Sequence, residues 1–385
     1  MPQRPIYLDA HATTPVDPLV LDAMLPYFTE SFGNPSTNTH VYGWEAGAAV
    51  KKAREAIASI INASPEEIVF TSGATEANNL AIKGVAEAYF SQGKHIVTVA
   101  TEHRAVLDPC AYLESLGFEV TYLPVQANGI LDLSKLETAL REDTVLVSVM
   151  AANNEIGVLQ PLAAIGKLCH DRGILFHTDA AQAIAKIPLD VEAMQIDLMS
   201  LTAHKIYGPK GIGALYVRRR DPRVKLASQI QGGGQERGRR SGTLYTPQIV
   251  GFAKALEIGM EMMASEAERI MKLKRQLWSI FEPLEGIYLN GDFDRSLPNN
   301  LNISFEGVNG SALLLALQSV VAVSSGSACS SESTAPSHVL IALGRDEKLA
   351  HASLRFGIGR FNTSEEIKTV GETAIAAIKA LRQGN

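Results

Sequence analysis

The sequence predicts an α/β protein, with a mostly parallel central sheet in a large domain and a second, smaller α/β domain. Three observations lead to this. Short apolar or β-branched runs alternate with segments of helical spacing from about residue 15 to 225. The glycine- and arginine-rich stretch 229–243 (QIQGGGQERGRRSGT) then breaks that rhythm and reads as a loop. The chain has 385 residues, more than one ordinary core accommodates.

Each element has its own justification. Residues 44–61 (WEAGAAVKKAREAIASII) and 75–90 (TEANNLAIKGVAEAYF) carry helical spacing, and between them 67–71 (EIVFT) reads as a strand. HIVTVA at 95–100 is a buried strand, 105–116 a helix and 118–123 (FEVTYL) a strand. TVLVSVM at 144–150 and ILFHT at 174–178 are strands on either side of a helix at 161–171. Such alternation implies crossover units and a parallel sheet covered by helices. After the loop comes a long helix at about 246–282. Strands at 300–305 and 353–357 and helices at 310–317, 336–343 and 364–382 complete the chain, the last opened by a capping box, Thr363 with Glu366. The large domain is therefore placed at 15–260, and the small one takes 1–14 together with 261–385.

Composition narrows the class. Hydrophobic residues make up 46%, enough for sizeable cores, and no apolar run approaches the length of a membrane span. A formal net charge of −6 argues against nucleic acid as the partner. The opening MPQRPIYLDA carries no signal segment. Cys110, Cys169 and Cys329 are too few and too scattered for a disulfide framework or a zinc cage, so a reducing cytoplasm is the expected setting.

The chemistry concentrates where apolar segments end. The run ILFHT leads into Asp179, with Gln182 three residues on. A second segment leads into Thr202, His204 and Lys205, ahead of the glycine-rich GPKGIG. Ser72-Gly73-Ala74-Thr75 lies between a strand and a helix, where helix N-terminal amides suit a phosphate. In open α/β sheets these strand ends bind ligands. An acid and a lysine so placed meet the needs of pyridoxal phosphate, which requires a lysine tether and an acid to keep its ring nitrogen protonated. Thr75, Thr202 and His204 then serve the phosphate, His103 stacks on the ring, Asn154 supports its edge and Gln182 donates to its phenolic oxygen. Taken singly, each has an ordinary reading: Asp179 as a helix cap, Lys205 as a solvated lysine, SGAT as a turn.

TSGATEANN, TEHRAV, NNEIG, HTDAAQ, HKIYGPKGIG, RSGT and SSGSACS together resemble the cysteine desulfurases of the NifS/IscS type, in order and over nearly the whole chain. The resemblance implies the aspartate aminotransferase-like fold (PLP fold type I) and a homodimer. It implies pyridoxal 5′-phosphate on Lys205, paired through Asp179 and Gln182 and stacked under His103. Ala74, Thr75, Thr202, Ala203 and His204 hold the phosphate, and Thr243 of the RSGT loop reaches the phosphate of the other subunit. Two departures stand out: Thr202 where many relatives carry Ser, and His11, in LDAHATTP, where a less basic residue is expected.

Cys329 sits in VSSGSACSSEST, among small polar residues, with no cation adjacent in sequence to lower its pKa. The resemblance makes it the nucleophile. L-Cysteine becomes L-alanine, the Lys205 amine takes the α-proton, and the sulfur passes to Cys329 as a persulfide for iron–sulfur cluster assembly or other acceptors. Cys329 is also implied as a transient iron–sulfur ligand. Arg355, in SLRFGIGR, is the expected clamp for the substrate carboxylate, its ordinary reading being a surface arginine on an edge strand. Cys110 and Cys169, in helical stretches, read as structural. The partners implied are L-cysteine, a second copy of the chain and sulfur acceptors such as an iron–sulfur scaffold, with neither nucleic acid nor membrane. Housekeeping relatives continue past the position of Asn385 with a tail that docks the scaffold, so a NifS-like role or a broader set of acceptors stays open. A selenocysteine lyase or an aminotransferase is the alternative within the fold, and a sulfur carrier binding pyridoxal phosphate only for structure is the alternative outside enzymes. The thiol speaks against transamination, which needs none.

Overall fold

A computed structural model describes residues 4–325 and 335–383. Its seven-stranded sheet has strands β1 (Ile68–Thr71), β2 (His95–Val99), β3 (Glu119–Leu123), β4 (Thr144–Ser148), β5 (Leu175–Asp179), β6 (Leu198–Thr202) and β7 (Gly213–Val217), in the order β1-β7-β6-β5-β4-β2-β3. Pairing is parallel except at β7, which runs against both β1 and β6. The expected mostly parallel sheet is present. Strand β7 was not foreseen, because its five residues follow directly on a glycine-rich turn and carry little signal of their own.

Strands β4 to β7 are buried along their whole length, as expected of a sheet covered on both faces. The period of two assigns side chains to opposite faces. Phe176, Met199 and Tyr216 enter one apolar core, and Leu175, Leu198 and Leu215 the other. Registers such as Asp179 beside Ser200 bring the ends of β5 and β6 to one edge, where the candidate site lies.

A second, antiparallel sheet runs in the order Ser324–Ser325, Ser353–Gly357, Asn300–Phe305, Ile287–Leu289. Leu301, Ile303, Phe305, Leu354 and Phe356 form its core with Leu8 from the chain start. The helix Thr246–Phe281 serves both cores: Ile249, Phe252 and Leu256 pack on the large sheet, and Ile270, Leu277 and Phe281 on the small one. The helix expected at 336–343 forms at His338–Ala342, and a further short one, Glu347–His351, follows it, with Gly344 between them at φ +85°. The capping box does form: Glu366 Oε2 accepts from Thr363 N at 3.0 Å, and Thr363 Oγ1 accepts from Glu366 N at 3.2 Å. Among the described residues, no helix is long and apolar enough to cross a membrane.

Candidate active site

Asp179 is the last residue of β5 and is buried. Its Oδ1 accepts from Ala181 N at 2.9 Å and its Oδ2 from Asn78 Nδ2 at 2.7 Å. Asn78 belongs to the helix Ala74–Ala88, which also opens the Ser72–Thr75 turn. One helix therefore begins at the Ser72–Thr75 turn and fixes the acid. Gly73 caps this helix at φ +150°, a conformation side chains resist, and no side chain caps its first-turn amides. The turn also lies against β7, since a Cβ on Gly213 would stand 2.7 Å from Gly73 Cα.

Lys205 lies three residues beyond β6, and its Nζ donates to the carbonyls of His11 at 2.5 Å and Ala12 at 2.7 Å. His204 meets Thr13 Oγ1 at 3.2 Å, and burial, with Lys205, Lys210 and Lys186 nearby, pushes its pKa down to about 4. His103 caps the helix Arg104–Ser115, its Nδ1 accepting from Ala105 N at 3.0 Å. Burial lowers its pKa too, so the ring is neutral with its proton on Nε2. Gln182 Nε2 donates to the His11 carbonyl at 2.9 Å.

Arg355 is buried, on a strand interior to the small sheet, and so is not the edge-strand surface residue of its ordinary reading. Its Nη1 donates to the Asn154 carbonyl and its Nη2 to Asp9 Oδ1, both at 2.9 Å. Its buried Nε has no hydrogen-bond partner among the described residues. Asp9 Oδ2 accepts from Ser324 Oγ at 2.9 Å, and Ser324 is in register with Arg355.

A cavity of about 630 Å³ gathers Ala74, Thr75, His103, Asn154, Asp179, Gln182, Thr202, His204, Lys205 and Arg355 on its walls. Two expected residues are not there. Ala203 is fully buried, and its amide already donates to the Ile212 carbonyl at 3.2 Å, which leaves it no donor for a phosphate. Thr243 is exposed and lies outside the cavity of its own chain. Cys329, with its expected roles as nucleophile and transient iron–sulfur ligand, lies outside the described residues. Cys110 and Cys169 are buried free thiols; burial drives both pKa values up, that of Cys110 to about 12.

Sequence reasoning assigned no role to Asn78, Asp9 or His11. Asn78 stands in the quoted TEANN, four residues into a helix aimed at the site, and that was the available signal. Asp9 carried none, since its partner Arg355 is 346 residues away.

The cavity suits pyridoxal phosphate on its own evidence. Its lining brings together uncapped helix amides, a carboxylate whose oxygens are held by two donors, and a lysine.

Comparison with known proteins agrees. The class-V aminotransferase family profile matches residues 6–370. A cysteine desulfurase of Homo sapiens is 56% identical over 381 residues, covering 99% of this chain and 83% of the relative. A cysteine desulfurase IscS of Neisseria meningitidis serogroup C is likewise 56% identical, covering 99% of this chain and 94% of its own. Among solved structures, a NifS-like protein superposes with a TM-score of 0.91 at 39% identity, over 98% of this chain and all of the other. The structure described as SspA in complex with cysteine does so at 0.82 and 40% identity, over 93% of this chain and all of the other. The chain belongs to the class-V aminotransferase family and, within it, to the cysteine desulfurases.

Proposed function

We propose that this cysteine desulfurase holds pyridoxal 5′-phosphate in the cavity, tethered by Lys205, and moves the sulfur of L-cysteine onto Cys329 as a persulfide, leaving L-alanine. One observation carries the reading: Asp179 and Lys205, at and past the ends of neighbouring strands of the large sheet, line one cavity with Arg355 of the small one. Bound there, the cofactor supplies an electron sink for bonds broken at the substrate's α and β carbons.

The chain's own residues do the rest. Asp179 keeps a proton on the ring nitrogen. Thr75, Thr202 and the amides of Ala74 and Thr75 hold the phosphate, with His204 beside them as a neutral donor. His103 covers the ring. Arg355, held by Asp9 and the Asn154 carbonyl, fixes the substrate carboxylate and with it the α-carbon. The Lys205 amine takes the α-proton at Nζ and later returns one. Cys329 Sγ, as the thiolate, attacks the substrate sulfur; the new S–S bond forms as the C–S bond breaks, and that electron pair with a proton completes the methyl group of alanine. Described residues flanking Cys329 are anchored by this site, since Ser324 bonds Asp9 and Ser337 donates to Glu155 at 2.5 Å.

The protein works as a dimer in this reading, with the sulfur passing on to acceptors in iron–sulfur assembly. Leu19, Leu25, Phe28, Phe32, Tyr42 and Trp44 are all exposed, and Phe28 packs edge-on against Tyr245, two residues past Thr243. Arg240 of the same loop grips Glu76, whose carboxylate also accepts from Ser72 N. Thr243 is thus offered to a second copy beside an anchored loop. A reducing cytoplasm fits Cys110 and Cys169 as free thiols. The test is borohydride reduction of the native protein and of Lys205→Ala. The native chain fixes the cofactor covalently and loses its visible colour. A bleachable, covalently fixed cofactor in Lys205→Ala rules the tether out.

A further inference from the structure

His11 is buried between the two sheets' territories. Its Nδ1 lies 3.0 Å from Gln182 Oε1, beyond β5, and its Nε2 lies 3.2 Å from Asn300 Nδ2, at the start of the small sheet's strand Asn300–Phe305. Its neighbours settle the orientation of every group. Gln182 Nε2 faces the His11 carbonyl, and Lys186 Nζ donates to Gln182 Oε1 at 3.3 Å, so the amide cannot be turned over. Asn300 Nδ2 also donates to the Glu155 carbonyl at 3.1 Å, which fixes that amide as well. Nδ1 faces an acceptor and so carries a proton, while Nε2 faces the Asn300 donor and, at the same 3.2 Å, the Asn299 carbonyl.

We propose that His11 is a positioning residue, whose Nδ1–H clamps the amide of Gln182 so that the amide's second N–H is left for the cofactor's ring oxygen. The inference rests on the cofactor reading above. An imidazolium would also satisfy Gln182 and could donate to the Asn299 carbonyl at 3.2 Å, but it would oppose the Asn300 donor. Burial disfavours it first, and the neighbouring Lys186, Arg355 and Lys205 side chains act in the same direction. The His11 carbonyl meanwhile takes both Gln182 Nε2 and Lys205 Nζ. One residue therefore aligns the ring-oxygen donor and the resting place of the lysine amine.

Two measurements test this. Histidine-selective ¹⁵N NMR, with His11→Asn used to assign the signal, reports the tautomer in cofactor-free and loaded protein. The expected result is a neutral Nδ1–H ring from about pH 8 down to about pH 6. The second is the pH titration of the bound cofactor's visible absorption. A clamped Gln182 stabilises the anionic ring oxygen, so His11→Ala raises the midpoint by on the order of one pH unit. His11→Asn, whose amide N–H can stand where Nδ1–H stood, restores it. An Nε2–H tautomer, an imidazolium in that range, or one midpoint shared by all three proteins overturns the assignment. Failure of the native chain to fix cofactor through Lys205 strikes the cofactor reading instead, while the cofactor-free NMR still decides the tautomer.

Discussion

Asn78 donates to Asp179 across the top of the sheet at 2.7 Å, so the helix that begins at the Ser72–Thr75 turn also holds the acid in place. Both Asp179 oxygens are engaged by donors, which fixes the direction of the carboxylate. Asp179→Asn removes the charge that keeps the ring nitrogen protonated. Turnover of L-cysteine falls by at least about 10²-fold, while cofactor content changes far less. Steady-state kinetics with a cofactor absorbance measurement checks it.

Arg355 makes its case through geometry. Held by Asp9 and Asn154, it presents a fixed planar fork to the cavity. Lysine keeps the charge but loses that fork. Arg355→Lys raises KM for L-cysteine and lowers kcat/KM by about 10- to 100-fold, and a KM unchanged in that variant removes the clamp from the account.

The 229–243 loop is latched from beneath. Arg54 reaches Glu236 with two hydrogen bonds of 2.8 and 2.6 Å, and Phe70 N donates to the same carboxylate at 2.8 Å. Glu236 and Arg237 have positive φ, at 51° and 57°, an uncommon backbone for such residues. Arg54→Ala leaves the Glu236 carboxylate buried with one donor, a loss of about 3–5 kcal/mol by chemical unfolding.

Several histidines are held neutral by burial. The pKa is lowered to about 3 for His177, between Ser148 and Ser200 hydroxyls, and to about 4 for His204. In the unfolded chain each takes its proton near pH 6.5. Between those values the unfolded state binds more protons, so this contribution is present above about pH 6.5 and is lost as pH falls towards the folded pKa. Glu155, raised by burial to about 7, acts the other way, its contribution being lost as pH rises through that value. A single replacement isolates one term. His177→Asn lowers the slope of unfolding free energy against pH, measured between about pH 6 and 5, by up to about 1.4 kcal/mol per unit. An unchanged slope contradicts the neutral buried ring.

Much of this was legible in the sequence, and for a physical reason. Strands β1 to β6 are apolar runs bounded by turns, and Asp179, Lys205 and Ser72–Thr75 sit at their ends, so local pattern places them. What stayed hidden are pairs that local pattern does not connect: Asp9 with Arg355, Arg54 with Glu236, Glu76 with Arg240. Their partners are 346, 182 and 164 residues away. Ala203 illustrates the converse. A motif position suggested a phosphate donor, but the reversal of the chain through the glycine turn into β7 puts the Ile212 carbonyl on its amide.

Cys329 carries the central claim, and one assay decides it. Alanine and sulfide are measured together from L-cysteine and a reductant, with the native chain and with Cys329→Ser. The account predicts equal amounts from the native chain. It predicts essentially neither from Cys329→Ser, which keeps its bound, coloured cofactor. Alanine and sulfide still released in equal amounts by Cys329→Ser would contradict it.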